Sequence, residues 1–251
     1  MSPFPLPSVP VPVIVTVGVP DGTSDLVIVD YGAGNLRSVE KAFVWLGCAP
    51  RVTSDPDVVL SAKAVVLPGV GAAGQIMGSL NRLGLTESIR AFIGAGGPFL
   101  GVCMGMQVLM DWSDEDGGQK CLGILRGTVR RLHTELKVPH MGWNAVHQTV
   151  DHPLWRGIPD NSFFYFVHSY AVYPDDAAVM AGATVYDGEF TSAVARANVF
   201  GTQFHPEKSG SVGLQIYRNF VEWALHQADT ARPAESVRRR STGRAGQMEG
   251  S

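Results

Sequence analysis

Pro98-Phe99-Leu100-Gly101-Val102-Cys103-Met104-Gly105 is the stretch on which the fold turns. An apolar run of strand length ends on a cysteine set between small residues, and a further apolar segment, read as a helix, starts near Gly105. Two earlier segments have the same form. Leu26-Val27-Ile28-Val29 ends at Asp30 and the turn Gly32-Ala33-Gly34. Leu36, Val39, Phe43 and Leu46 then recur at helical spacing, and Gly47 stands where that helix would end. Ala64-Val65-Val66-Leu67 is a second buried-type strand, stopped by Pro68-Gly69. Apolar strands spaced by helices imply a parallel sheet covered on both faces. After about residue 120 the texture changes, and 123–130, 140–150, 163–173 and 181–204 read as shorter strands with Gly, Pro and Asp turns. Val212–Ala224 predicts a closing helix with Leu214, Tyr217, Phe220, Val221 and Leu225 near one face. The expected fold is α/β, a mostly parallel central sheet flanked by helices with antiparallel additions.

Both ends differ from this core. Residues 1–24 hold six of the sixteen prolines and a single charge, Asp21. Proline at that density disfavours helix and central strand, so a flexible extension is expected, with a short edge strand at Pro12–Val17 as the alternative. Residues 227–251 carry five Arg, three acidic residues and no aromatic, which predicts a disordered, Arg-containing tail. The catalytic or binding domain is therefore placed at 25–226.

Composition excludes several classes of function. The 251 residues are 45% hydrophobic and 17% charged with net charge −3, as in a globular protein without the basic field that holds nucleic acid. Cys48, Cys103 and Cys121 are few, odd in number and widely spaced, which points away from a disulfide framework or zinc ribbon and toward a reducing compartment. No apolar run reaches the roughly 18 residues of a membrane span. No Lys or Arg precedes Arg37, so the start lacks the basic region of a secretory signal. A cytoplasmic, soluble protein is expected, with no metal and no cofactor.

Three motifs carry chemistry. A nucleophile on a sharp strand-to-helix turn needs small neighbours, and Gly101-Val102-Cys103-Met104-Gly105 supplies them. The helix N-terminus at Cys103 favours thiolate. On the pentapeptide alone, a buried structural cysteine is the simpler reading. Phe204-His205-Pro206-Glu207 follows about a hundred residues later, after a strand-like segment. In an extended chain His205 and Glu207 share a side, so the carboxylate can orient the imidazole. An isolated His-Pro-Glu also fits a solvated ion pair; beside a cysteine elbow it supplies the oriented base a thiol nucleophile requires. Pro68-Gly69-Val70-Gly71, directly after a strand, allows backbone N–H groups to face a ligand, although a plain turn would look the same.

Gly101–Gln107, Pro68–Gly71 and Gln203-Phe204-His205-Pro206-Glu207-Lys208 together resemble the class I, triad-type glutamine amidotransferases. Asp30–Leu36, Pro139-His140-Met141-Gly142-Trp143-Asn144 and Tyr165-Phe166-Val167-His168-Ser169-Tyr170 narrow the resemblance to the glutaminase subunits of imidazole glycerol phosphate synthase, in histidine biosynthesis. It covers about 25–226, and Met104 and Ser169 stand where Leu and Thr are frequent. The resemblance implies that Cys103 attacks the side-chain amide of L-glutamine, that His205 protonates the leaving ammonia and that Glu207 orients His205. It implies an oxyanion hole from Met104 and the Val70–Gly71 region, and glutamine binding by Gly71, Gln107, His168, Ser169 and Tyr170, with Tyr165 a weaker candidate. It also implies a (β/α)8 cyclase partner that takes the ammonia through a channel, with Asn35, Trp143 and Lys208 at the interface. A glutaminase serving another synthase, and a non-catalytic subunit keeping the fold, are the competing readings.

Overall fold

The structure, a computed structural model, describes residues 26–230. The expected N-terminal extension, the Pro12–Val17 strand and the tail beyond residue 230 lie outside the described residues. The first half alternates strand and helix: β1 (Leu26–Val29), α1 (Leu36–Trp45), β2 (Arg51–Thr53), α2 (Pro56–Leu60), β3 (Ala64–Leu67), α3 (Ala73–Arg82), α4 (Leu85–Gly94), β4 (Phe99–Val102) and α5 (Met104–Gln107). The second half is strand-rich: β5 (Trp112–Ser113), β6 (Gln119–Lys120), β7 (Gly127–Arg131), β8 (His140–Gln148), β9 (Ser162–His168), β10 (Tyr170–Pro174), β11 (Met180–Tyr186), β12 (Gly188–Arg196) and β13 (Val199–Thr202), closed by α6 (Gly210–Thr230).

The main sheet runs β2-β1-β3-β4-β13-β12-β10-β7-β5-β6. Its first five strands are all parallel, and β12, β10 and β7 continue it antiparallel. β8, β9 and β11 form a side layer attached through β12. β3 and β4 are buried at every position, as expected for strands covered on both faces. Three neighbouring strands, β3, β4 and β13, end together, and ligands in open parallel sheets bind outside such carboxyl ends. Among the described residues no helix is long and apolar enough to cross a membrane.

Three local expectations are corrected. The helix after Cys103 is a single turn, because Met106–Met110 is buried all round and Leu109 turns its carbonyl to the N–H groups of Ile124 and Leu125. On α6 the buried face is Ile216, Tyr217, Phe220, Trp223 and Ala224; Leu214 and Val221 flank it and Leu225 is exposed. The same helix continues through Thr230, so 227–230, assigned to the tail by composition, extends it.

Candidate active site

Register brings the site together. Thr202 on β13 pairs with Val102 on β4, and the Cys103 N–H donates to the Thr202 carbonyl at 2.6 Å. Cys103 and His205 therefore leave adjacent parallel strands one and three residues past the last pair. Cys103 sits at φ 54°, ψ −108°, a conformation that costs a non-glycine residue on the order of 1–3 kcal/mol and that neighbouring structure must impose. That is the geometry of a nucleophile elbow, where a sharp strand-to-helix turn lifts the side chain above the sheet.

His205 is fully buried, as is the Glu207 carboxylate, and His205 Nδ1 lies 2.9 Å from Glu207 Oε1. Asn35 Nδ2 donates to the same oxygen at 3.1 Å, and the Tyr217 hydroxyl donates to Glu207 Oε2 at 3.0 Å. Burial alone would raise the pKa of this carboxylate, but the hydrogen bond and charge of His205, its own backbone N–H and Asn35 outweigh burial and hold it below the usual value. His205 Nε2 is buried with no hydrogen-bond partner of regular geometry. Burial pulls the imidazole down, but the charge of Cys103, contact with it, and Glu207 outweigh that and raise its pKa to about 10. An imidazole held by a carboxylate on one nitrogen and free on the other, beside a thiol, is an acid–base group poised for nucleophilic chemistry.

A cleft of about 280 Å³ opens over these groups, lined by Val70, Gly71, Cys103, Met104, Gln107, His168, Ser169, Tyr170 and His205. Every residue assigned to the oxyanion hole or to glutamine binding lines it except the weaker candidate Tyr165, which instead stands against Trp143 and Lys208. Gly71 has φ +100°, a conformation that disfavours any other residue. The Val70 N–H faces the Tyr31 phenol, whose hydroxyl donates to the Pro68 carbonyl. Gln107 Nε2 donates to the Tyr170 carbonyl at 2.9 Å and to Gln203 Oε1 at 3.0 Å, which leaves Gln107 Oε1 buried and unpartnered.

The interface candidates separate. Trp143 is 55% exposed and meets Tyr165 edge-on at 6.2 Å, and Lys208 Nζ lies 5.8 Å from the Tyr165 ring. Asn35 instead is 7% exposed and reaches inward to Glu207. Sequence reasoning passed over Glu115, Gln203 and the Tyr217 hydroxyl. Glu115 lines the cleft, accepts from the Ala73 N–H at 2.7 Å, and has its pKa raised by burial, with Asp116 adding to the rise. It lies in an acidic loop that offers no periodic signal. Gln203 was findable, since it stands two residues before His205 in extended chain.

His168 donates Nδ1–H to the Tyr170 carbonyl at 2.8 Å, and His140 donates Nδ1–H to His168 Nε2 at 2.9 Å. The carbonyl can only accept, which fixes both tautomers. Burial lowers the pKa of His168 to about 3 and of His140 to about 4; His152, against Phe200 and Trp223, falls to about 4. Groups neutral in the fold that ionise once unfolded stabilise fully above the unfolded value of 6.5 and lose that contribution as pH falls toward 4. His205 has the opposite sign: its contribution is complete below 6.5 and is lost as pH rises through about 10. The melting temperature should therefore fall steadily on acidification below 6.5, before carboxylates titrate. A thermal profile that is flat down to pH ~5 would contradict the neutral histidines.

Residues 27–223 match the family profile described as Glutamine amidotransferase class-I. The chain belongs to the class-I glutamine amidotransferases. Among its relatives is the protein named imidazole glycerol phosphate synthase subunit HisH from Dehalococcoides mccartyi strain CBDB1, 50% identical over 200 residues, 80% of this chain and 98% of the relative. The protein of the same name from Aromatoleum aromaticum is 51% identical over 212 residues, covering 80% and 99%. Solved structures share the amidotransferase fold at lower identity. One titled "Crystal structure of glutamine amidotransferase" has TM-score 0.64 at 20% identity, covering 79% of this chain and 98% of that one. PurLQS from Thermotoga maritima gives TM-score 0.64 at 17% identity, covering 79% and 97%. Within the amidotransferases, then, the chain groups with the HisH subunits.

Proposed function

We propose that this chain hydrolyses L-glutamine and passes the ammonia to a (β/α)8 cyclase subunit, which forms imidazole glycerol phosphate and aminoimidazole carboxamide ribotide. The observation that carries the reading is the buried His205–Glu207 pair with its second imidazole nitrogen free beside Cys103. The Cys103 sulfur attacks the amide carbon, and the negative charge developing on the amide oxygen is met by the N–H groups of Met104 and Gly71. Collapse breaks the C–N bond, and His205 Nε2 delivers the proton that lets ammonia leave. The γ-glutamyl thioester is then attacked by water, which gives its proton to His205, and glutamate departs as the C–S bond breaks. Glu207 keeps Nδ1–H in place throughout and stabilises the imidazolium. Gln107 Oε1, a buried acceptor without a partner, suits an N–H of the substrate, and Glu115 suits its ammonium group.

A docking face for the cyclase fits on the outer side of β8–β9. Met141, Trp143 and Phe163 are exposed there beside Tyr165, with Lys208 at the rim. Lys208 directly follows Glu207, so a partner that moves this turn acts on the triad. Ammonia released without a partner is wasted, and the glycine peptide at Gly71 is the natural control point. In this reading the free chain holds only the Met104 donor, and cyclase contacts favour the rotated peptide by binding it better. Loss of one such donor costs on the order of 100- to 1000-fold. Glutamate release should rise by that order on adding the cyclase with its ribulosyl ligand, in kcat rather than KM. Full turnover by the isolated chain, or activation seen only as tighter glutamine binding, would overturn the control.

A further inference from the structure

Gln203 follows β13 directly, is fully buried, and is anchored by its backbone N–H on the Ser192 carbonyl at 2.9 Å. Its side chain spans two groups of the cleft, with one end 3.6 Å from Cys103 Sγ and the other 3.0 Å from the Gln107 side chain. The two ends of a carboxamide differ chemically, and here a single carbonyl decides which is which. The Tyr170 carbonyl can only accept, so the end of Gln107 that meets it is the NH2 group. That same NH2 group meets Gln203, so the Gln203 atom facing it is the oxygen. The NH2 group of Gln203 is left facing sulfur.

We propose that Gln203 is a catalytic residue, donating a side-chain N–H to the Cys103 sulfur and favouring its thiolate form. The proposal rests on the reading of Cys103 as nucleophile. A buried thiolate loses hydration, and a hydrogen bond given to the charged form offsets that loss. His205 interacts with the same sulfur, and α5, which follows Cys103, is a single turn. The same carboxamide holds Gln107, so one buried side chain sets both the nucleophile and a residue of the substrate cleft.

Gln203→Glu separates this role from simple packing. A carboxylate has the same shape and still accepts from Gln107, but it presents an acceptor and a negative charge to sulfur. Gln203→Met fills the space with neither donor nor charge. The readout is the pH dependence of Cys103 alkylation by iodoacetamide, followed on the full chain by the mass of the Cys103 peptide. The expected result is a midpoint raised by about one pH unit in Gln203→Met, seen as roughly tenfold slower alkylation at neutral pH, and raised further in Gln203→Glu. In the unsubstituted protein, the side-chain 15N–H2 signals of Gln203 should shift with the same midpoint as alkylation, and this shift should vanish in Cys103→Ala. Variants that melt cooperatively and keep the original midpoint would overturn the proposal, as would Gln203 signals indifferent to that titration. Protection of Cys103 by glutamine tests the underlying reading separately. Without protection the nucleophile assignment falls; with protection and unmoved midpoints only the role of Gln203 does.

Discussion

Cys103→Ser should lower glutamine hydrolysis by on the order of 10⁴- to 10⁶-fold while leaving the fold in place. The substitution changes one atom in a side chain that is 4% exposed, and the strained backbone at φ 54° is imposed by β4, β13 and α5 rather than by sulfur. What changes is acidity. A hydroxyl is a far weaker acid than a thiol, and the charge that holds His205 up at about 10 disappears with the sulfur. His205 should then titrate lower, so the loss of stability on the alkaline side should begin at lower pH in the variant. Glutamate release, thermal melting across pH and ammonia-fed synthesis with the cyclase read the three consequences. Ammonia enters after the glutaminase step, so ammonium salts should still support the partner reaction. Glutamine-dependent turnover near the original rate would remove Cys103 from its role.

Three of the five parallel strands were legible because each is a short run of apolar residues and glycine, whereas β2, Arg51-Val52-Thr53, has no such run and β13 was legible only as part of the strand-like stretch 181–204. Leu26–Val29, Ala64–Leu67 and Phe99–Val102 are found at the predicted places. The elbow and the His-Pro-Glu corner were legible as local geometry, and the register of β13 on β4, which local pattern does not encode, places them side by side. Neighbouring register also explains what was missed. Tyr217 reads as one more apolar position on α6, stacked on Phe43 at 4.5 Å, and only the tertiary fold turns its hydroxyl to Glu207. Asn35 carried only a resemblance to an interface position, yet the chain closes over it and makes it a donor to the same carboxylate. Gln107 carried a family match, but its partners Tyr170 and Gln203 lie 63 and 96 residues away in sequence. Short-range periodicity gives the elements; the polar groups that tune the site depend on contacts it does not contain.

Adding one methyl group at Gly105 should be as damaging to activity as many changes to the cleft itself, whereas the same change at Gly78 should be stabilising. Gly105 is the second residue of α5, and a Cβ there would be driven into the carbonyl oxygen of Leu67, with its carbon 2.9 Å away. Leu67 is backbone of a fully buried strand and is paired with Gly101 on β4, so no flexible side chain can yield. The alternative is for α5 to lift off the strand ends, taking with it Cys103 and the Met104 N–H. Overpacking of this kind typically costs about 1–3 kcal/mol or more, and a shift of ~1 Å in reacting groups costs on the order of 100-fold in rate. Gly105→Ala should therefore melt several degrees lower and lose at least that factor in kcat. At Gly78, inside α3, an added Cβ meets nothing within 4 Å, so Gly78→Ala gains about 0.5–1 kcal/mol from helix propensity alone. Both are read in one melting series with glutamate release beside it. Native-like melting and turnover of Gly105→Ala would mean that the elbow is not pinned against β3, and the close approach of α5 to that strand would lose its claim to position the nucleophile.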